Sequence, residues 1–184
     1  MHDDELWQDL LLNGEPVQEP RKKGQQLPDG HICAAVYLWV WREREGIVEV
    51  LLQQRASNKR TWSGYWDVSA AGHINFDEQP IQAVIREAEE EIGLNLSADQ
   101  LYFAGVYRLY QRKYVDQLLI PELQWIYTYK ASEEVASVFL DGEVSNSEWY
   151  PVEKLLDRSF IENLPVVNHD PEYFALIHKT IAMQ

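Results

Sequence analysis

The chain has 184 residues and is acidic, with 30 Asp and Glu against 16 Lys and Arg and a formal net charge of -14. This length favours a single domain, and 46% hydrophobic with 25% charged residues is typical of a globular protein and excludes a disordered one. The acidity argues against binding to duplex nucleic acid or to an anionic membrane, since both need clustered cations. It suits a protein that handles metal cations.

The single cysteine, Cys33, excludes an internal disulfide framework and fits a reducing compartment. Residues 1–5 are acidic where a signal peptide would be basic. No uninterrupted apolar run approaches the roughly 18 residues of a membrane span. We therefore expect a soluble, cytoplasmic protein.

Hydrophobic patterning predicts strands along most of the chain. Residues 5–17 are typical of a short hairpin turned at Asn13-Gly14, and residues 20–30 form a loop by composition. Runs of aromatic and branched residues predict strands at 31–41, 47–55, 65–71, 101–109 and 123–129. After a variable loop, helices are expected over 151–156 and 171–182.

Strands with a few helices at irregular intervals predict an α/β (α+β) sandwich, not a regular doubly wound sheet. We expect one domain overall, whose body is formed by residues 31–184. The hairpin and loop of residues 1–30 are expected to belong to it.

Residues 79–92 form the best-defined predicted helix. Pro80 suits its first turn, and Gly93 suits its C-terminal cap. Apolar residues repeat at helical spacing and predict one buried stripe, made of Ile81, Val84, Ile85, Ala88 and Ile92.

Three glutamates share a face of this helix next to the apolar stripe. Glu87, Glu90 and Glu91 stand at i, i+3 and i+4, where like charges repel by about 0.2–0.5 kcal/mol per pair. They also lie in the last turn, where the helix dipole disfavours anions by roughly 0.3–1 kcal/mol each. Only Arg86 offers local compensation, so this face predicts an external cation such as Mg²⁺, which prefers carboxylate oxygens. The alternative is an acidic face that is simply solvated.

The wider segment repeats a fixed pattern. Gly72 is followed after five residues by Glu78, and after seven more by Arg86-Glu87-Ala88-Glu89-Glu90-Glu91-Ile92-Gly93-Leu94. This resembles the Nudix box, G-x5-E-x7-R-E-U-x-E-E-x-G-U with U apolar, at every fixed position. The resemblance implies that Glu78 supports the geometry of the loop before the helix.

The resemblance to Nudix hydrolases implies a fold and an activity. The fold is an α/β/α sandwich with a mixed sheet and a loop–helix–loop motif, and the activity is hydrolysis of a diphosphate linkage by activated water. Glu87, Glu90 and Glu91 would bind Mg²⁺ or Mn²⁺, with one of them as a candidate base. Arg86 would orient this face, and Gly72 would let the backbone approach the ion, its carbonyl oxygen being a candidate ligand.

Residues 51–73 are similar to the branch of the family that contains isopentenyl diphosphate isomerase and its hydrolase-like relatives. Under this resemblance Arg55, Lys59 and Arg60 are candidate contacts of the substrate diphosphate. The alternative is that they are solvated loop charges. A small-molecule diphosphate is thus the expected ligand.

The isomerase activity itself is disfavoured. The resemblance places its catalytic cysteine where this chain has Ala71, and Cys33 lies in a different predicted strand. His31, His73 and Glu122 match positions of the isomerase metal ligands, but an earlier histidine is missing. Ordinary structural roles compete with metal binding for both histidines.

Other roles stay open at this point. Glu122 is a candidate fourth metal ligand or an exposed acid at a strand end, and Glu143 or Glu148 is a candidate base. Several aromatic residues could stack on a planar group or pack in the core: Tyr107, Tyr110, Tyr114 and Trp125. A non-catalytic nucleotide-binding module is a third function, and a homodimer through the N-terminal hairpin rests on fold analogy alone.

Overall fold

The fold is described here from a computed structural model. It describes residues 5–59, 61–110, 112–114, 117–132, 142–157, 160, 163–167 and 169–184. Its strands are β1 (Leu6–Trp7), β2 (Asp9–Leu11), β3 (Arg21–Lys22), β4 (His31–Arg44), β5 (Ile47–Arg55), β6 (Trp66–Asp67), β7 (Ala70–His73), β8 (Tyr102–Leu109), β9 (Arg112–Tyr114), β10 (Gln117–Leu119), β11 (Glu122–Lys130) and β12 (Val144–Pro151). Its helices are α1 (Pro80–Ile92) and α2 (Pro171–Ile181), with short 3-10 helices at Ala98–Gln100 and Val152–Leu156.

The main sheet is mixed and is organised around the long strand β4. Its main path runs β12-β5-β4-β11-β8, and only the β4–β11 pair is parallel among these neighbours. Strands β2 and β7 also pair with β4, and β6 pairs with β5. The strand β4 therefore carries both the N-terminal segment and the strand that leads into α1.

Alternation along β4 divides the core into two layers. Even-numbered residues face α1 and join one buried cluster, for example Val36 and Leu38, which packs with Val84, Ala88 and Ile92. Odd-numbered Trp39 and Trp41 belong to the other cluster, which contains the buried residues of α2. A strand buried on both faces explains the near-continuous apolar run in this part of the sequence. The sheet between two helices confirms the α/β/α sandwich.

The predicted elements agree well with the observed ones. The strand β5 and the helix α1 have the expected positions, and the turn at Asn13-Gly14 is present, with Gly14 N donating to Leu11 O at 2.8 Å. The expected hairpin is also present, since Leu11 N donates to Glu15 O at 2.8 Å and Val17 N donates to Asp9 O at 2.9 Å across this turn. In addition, β2 pairs with β4, and β1 pairs with β3.

Two regions expected as loops contain strands. Much of β12 lies in the predicted variable loop, because half of its residues are Ser, Asn or Glu and give no apolar run. The strand forms a sheet edge held by main-chain pairing with β5. The strands β9 and β10 pair antiparallel between the predicted strands 101–109 and 123–129, where the patterning predicts no strand. Among the described residues, no helix is long and apolar enough to cross a membrane.

Candidate active site

Helix α1 brings the glutamates of the motif to the sheet. Pro80 lies in its first turn after the cap residue Gln79, and Gly93 ends it in the left-handed conformation with φ 68°. The Gly93 N–H bonds to Glu89 O at 3.1 Å, which closes the last turn. Glu87 and Glu91 are buried together with the apolar stripe of this helix. Their burial makes their charge costly unless a cation or a proton neutralises it.

Glu87 reaches the backbone of β7 at Gly72. A Cβ atom placed on Gly72 would overlap the Glu87 carboxylate, so only glycine leaves room for this carboxylate. Its φ is outside the left-handed region, and conformational freedom is not the reason. Burial raises the pKa of Glu87 to about 7, although Arg86 opposes the rise.

Glu91 is more deeply buried, with 4% of its surface exposed. Its Oε2 accepts hydrogen bonds from Ala71 N at 2.9 Å and from Gln53 Nε2 at 2.8 Å. Burial raises the pKa of Glu91 to about 8, and the charge of Glu87 adds to the rise. Two desolvated carboxylates thus lie against neighbouring residues of β7, Gly72 and Ala71.

Arg86 ties the glutamates to this loop. It donates to both carboxylate oxygens of Glu78 at 3.0 and 2.9 Å, to Glu87 Oε1 at 2.6 Å and to His73 O at 3.0 Å. Glu78 in turn accepts from Asn75 N at 2.8 Å. Burial alone would lower the pKa of Arg86, but Glu78 and Glu87 raise it above its ordinary value. The geometry agrees with the orienting role expected for Arg86 and the supporting role expected for Glu78.

Glu90 differs from its two neighbours on the helix. Its side chain is 49% exposed and its Oε2 lies 3.2 Å from Arg86 Nη1. Within the described part of the chain, no three acidic, histidine or cysteine side chains converge closely enough to hold a metal ion by themselves. The structure therefore brings Glu87 and Glu91 together and leaves Glu90 directed to Arg86.

The chemistry of this donor set fits a hard divalent cation. Its carboxylate oxygens are the preferred ligands of Mg²⁺. The space beside Gly72 is occupied by the Glu87 carboxylate and has no room for a side chain on residue 72 itself. The raised pKa values of Glu87 and Glu91 reflect charge that the surrounding protein does not fully neutralise. A bound cation would provide that neutralisation.

Two of the three expected substrate contacts are described, and both are paired with acids. Lys59 forms an ion pair with Glu143, one of the two candidate bases. Arg55 Nη1 lies 3.4 Å from Asp67 Oδ2, and its Nε bonds to Thr61 O at 3.3 Å. Lys59 lies close enough to Glu91 to lower its pKa, whereas Arg55 stabilises the loop after β5. Arg60 lies outside the described residues.

Glu122 is held by hydrogen bonds to side chains of β4 and β11. Its carboxylate accepts from Tyr37 OH at 2.8 Å and from Gln124 Nε2 at 2.9 Å. Tyr37 packs against the cluster on the α2 side, whereas the neighbouring Val36 packs against α1. Burial raises the pKa of Glu122. The role of Glu122 as a fourth metal ligand stays a prediction, whereas the alternative of an exposed strand-end acid does not agree with its hydrogen bonds to Tyr37 and Gln124.

The two histidines occupy different environments. His73 is stacked on Trp7, with ring centroids 3.9 Å apart and planes inclined by 8°. Burial, together with the charges of Arg21 and Lys23, lowers the pKa of His73 to about 3, so its imidazole is neutral. His31 begins β4 opposite Leu11.

The candidate stacking residues are divided between core and surface. Tyr107 packs on Tyr173 and donates to Asp170 Oδ2 at 2.8 Å, and Trp125 is partly buried against the α1 cluster. Tyr110 is 68% exposed, with Arg108 near its ring. The side chain of Tyr114 lies outside the described residues.

Sequence reasoning missed Gln53 and Trp7 as neighbours of the motif. Gln53 directly follows the apolar residues Val50, Leu51 and Leu52 of its strand and has 2% of its surface exposed, and a polar residue next to such a run was an available signal. Trp7 carried no comparable signal, because its contact with His73 depends on the fold.

A family model described as the NUDIX domain matches residues 31–172, most of the chain. The chain belongs to the Nudix family. The segment from Gly72 to Leu94 is its Nudix box, and α1 is the helix of that box.

Two relatives with similar sequences are a Nudix hydrolase and an isomerase. Nudix hydrolase 3 of Arabidopsis thaliana is 36% identical over 90 residues, which cover 49% of this chain and 11% of that protein. An isopentenyl-diphosphate Delta-isomerase of Clavibacter sepedonicus is 30% identical over 129 residues, 68% of this chain and 60% of the isomerase. The matched part is thus less than two thirds of the length of these relatives.

The crystal structure of DR0079 from Deinococcus radiodurans superposes with a TM-score of 0.68 at 18% identity. The superposition covers 93% of this chain and 98% of that one. At this identity the likeness shows the Nudix fold.

Proposed function

We propose that this protein is a divalent-metal-dependent pyrophosphohydrolase that cleaves a diphosphate linkage in a small molecule. A nucleoside diphosphate joined to another group, or a related organic diphosphate, is the expected substrate. The observation that carries this proposal is the pair of buried carboxylates inside an intact Nudix box, with Glu87 at Gly72 and Glu91 at Ala71. Mg²⁺ or Mn²⁺ bound there would neutralise phosphate oxygens and lower the pKa of a water molecule.

The protein's own residues have separate tasks in this scheme. Glu87 and Glu91 hold the cation, and Arg86 keeps Glu87 in place through its bond at 2.6 Å. Glu90 is exposed and available to join the ligand set or to accept the proton of the attacking water. Lys59 supplies positive charge for the diphosphate once its pair with Glu143 opens.

Hydrolysis assays test the proposal directly. The purified protein is incubated with Mg²⁺ and a panel of nucleotide sugars, dinucleotides and prenyl diphosphates, and phosphate-containing products are separated by chromatography. We expect hydrolysis of at least one compound. We also expect a loss of roughly 100-fold or more in kcat/KM for Glu91→Gln, because the substitution removes a carboxylate that would hold the cation, and a catalytic metal stabilises the transition state by several kcal/mol.

Glu89→Gln is the matched control. Glu89 is in the same turn of α1 but is exposed and has no bond to Arg86 among the described contacts, so this variant removes one charge without touching the buried pair. We expect its activity to stay near that of the unmodified protein. An inactive protein on the whole panel, or equal losses in both variants, would contradict the proposal.

Isomerisation of isopentenyl diphosphate is the second candidate, favoured by the similarity to isomerases. Among the described residues, which include the single cysteine, no thiol lies where the isomerase cysteine precedes the Nudix box. Ala71, at the position of the isomerase cysteine, packs against the cluster on the α2 side, and Cys33 is buried against Arg21. Burial raises the pKa of Cys33 to about 12, which makes it a poor nucleophile. Proton NMR of isopentenyl diphosphate incubated with the protein should show no double-bond migration.

Two further predictions concern the whole chain. The single cysteine supports a reducing compartment such as the cytoplasm. A homodimer rests on analogy with the fold alone, and light scattering of the purified protein decides between monomer and dimer.

A further inference from the structure

The N-terminal segment lies before the part of the chain that the family model matches, yet it contacts the loop of the Nudix box. Gln8 N donates to Ile74 O at 2.9 Å, and Phe76 N donates to Leu6 O at 2.8 Å. Between these bonds, Trp7 and Asn75 form an antiparallel bridge. The first three residues of the loop that connects β7 with α1 are therefore paired with residues 6–8.

Side chains reinforce this main-chain pairing. The indole of Trp7 covers the ring of His73 in a nearly parallel stack at 3.9 Å. The guanidinium carbon of Arg21 lies 4.9 Å from the centroid of the same indole. These contacts add to the bonds that His73 O and Asn75 N make with Arg86 and Glu78.

The segment is itself anchored to the sheet. Arg21 makes two bonds to Asp9, at 2.7 and 3.0 Å, and both residues are buried. A further contact joins Arg21 Nη2 to Cys33 Sγ at 3.1 Å on β4. Because Asp9 is paired with Cys33 in the strand register, Trp7 is fixed relative to β4 and not only to its own hairpin.

Two hydrogen bonds connect His73 of the stack with Glu87. His73 O accepts from Arg86 Nη2 at 3.0 Å, and Arg86 Nη1 donates to Glu87 at 2.6 Å. Gly72, whose backbone faces the Glu87 carboxylate, directly precedes His73. A displacement of His73 would therefore move both the arginine that orients Glu87 and the glycine that makes room for it.

We propose that Trp7 is a positioning residue for the metal site, which it controls through its stack on His73. This inference rests on the proposed function, because it assumes that Glu87 and Glu91 bind a divalent cation. Residues that orient metal ligands without touching the ion change metal affinity by about 10–100-fold when they are replaced. Loss of the Trp7 ring should have an effect of this kind.

The test measures Mn²⁺ binding to the full-length protein by electron paramagnetic resonance of free Mn²⁺, without any substrate. We expect the dissociation constant to rise about 10-fold or more in Trp7→Ala and Trp7→Leu. Trp7→Phe retains a flat ring over His73 and should bind within about twofold of the unmodified protein. If Trp7→Ala fails to fold, the comparison between the leucine and phenylalanine variants decides the question.

Trp149→Ala is the matched control. Trp149 is also partly buried and has an arginine over its ring, with Arg42 Cζ at 4.1 Å from the centroid, but it lies on β12. We expect its Mn²⁺ affinity to be unchanged. Equal affinities of the Trp7→Leu, Trp7→Phe and unmodified proteins would overturn the positioning role alone, whereas no Mn²⁺ binding by the unmodified protein would overturn the metal site and, with it, this inference.

Discussion

The Gly72 position shows how one missing side chain shapes the site. The Glu87 carboxylate occupies the volume that a Cβ atom would take. The backbone at Gly72 is not in the left-handed region, so an alanine there has no conformational penalty of that kind. Steric exclusion of one carboxylate is the expected consequence of a substitution.

Gly72→Ala should therefore separate metal binding from folding. We expect Mn²⁺ affinity to fall by roughly 10–100-fold, because the displaced Glu87 carboxylate can no longer share an ion with Glu91. The melting temperature should change little, since the displaced group is the flexible end of a side chain. Mn²⁺ titration and thermal unfolding by circular dichroism measure the two effects. Unchanged Mn²⁺ affinity would contradict this account of the glycine.

At the scale of elements, α1 combines a local stop signal with a tertiary function. Gly93 adopts φ 68° and ψ 19°, and its N–H satisfies the carbonyl groups at the end of the helix. This closure keeps Glu91 and Ile92 within the last helical turn and against the sheet. The cap thus contributes both to stability and to the position of a candidate ligand.

Gly93→Ala should destabilise the protein by about 1 kcal/mol or more, because alanine is strained where φ is positive. Urea unfolding followed by circular dichroism measures the change in the free energy of unfolding. Glu89→Ala is the control, since Glu89 is exposed in the same helix and should change this free energy by less than about 0.5 kcal/mol. Comparable effects of the two substitutions would argue against the role of the cap.

For the whole molecule, the buried glutamates link folding to pH and to metal. The ordinary pKa of a glutamate is 4.5, whereas Glu87 and Glu91 in the folded protein have values of about 7 and about 8. Between pH 4.5 and about 7 to 8, Glu87 and Glu91 are protonated in the folded state and deprotonated in the unfolded state. Their contribution to stability is therefore greatest below pH 4.5 and is lost as the pH rises through about 7 to 8.

Melting temperatures in the presence of a chelator should fall as the pH is raised from about 5.5 to 8.5. Magnesium binding requires the deprotonated carboxylates, so the stabilisation by Mg²⁺ should be larger at the higher pH. Glu91→Gln removes one of the titrations and should flatten the dependence in chelator. A stabilisation by Mg²⁺ that is equal at both pH values would contradict this linkage.

Much of the site could be predicted because its pattern is local. Helical periodicity depends on residues three and four apart, so the sequence was sufficient to place Glu87, Glu90 and Glu91 on adjoining positions of one face. Pro80 and Gly93 marked the ends of α1 for the same reason. The strands of the core followed from apolar runs, since burial on both faces of a sheet selects such residues.

The tertiary structure decided which of these residues act together. Glu91 meets Ala71 and Gln53 across distant strands, and Glu122 on β11 is bonded to Tyr37 on β4. Trp7 reaches His73 because β1 pairs with the box loop. These contacts join residues far apart in the chain. They depend on how the strands pair and on the face from which each side chain emerges, and both are determined only when the whole sheet is assembled.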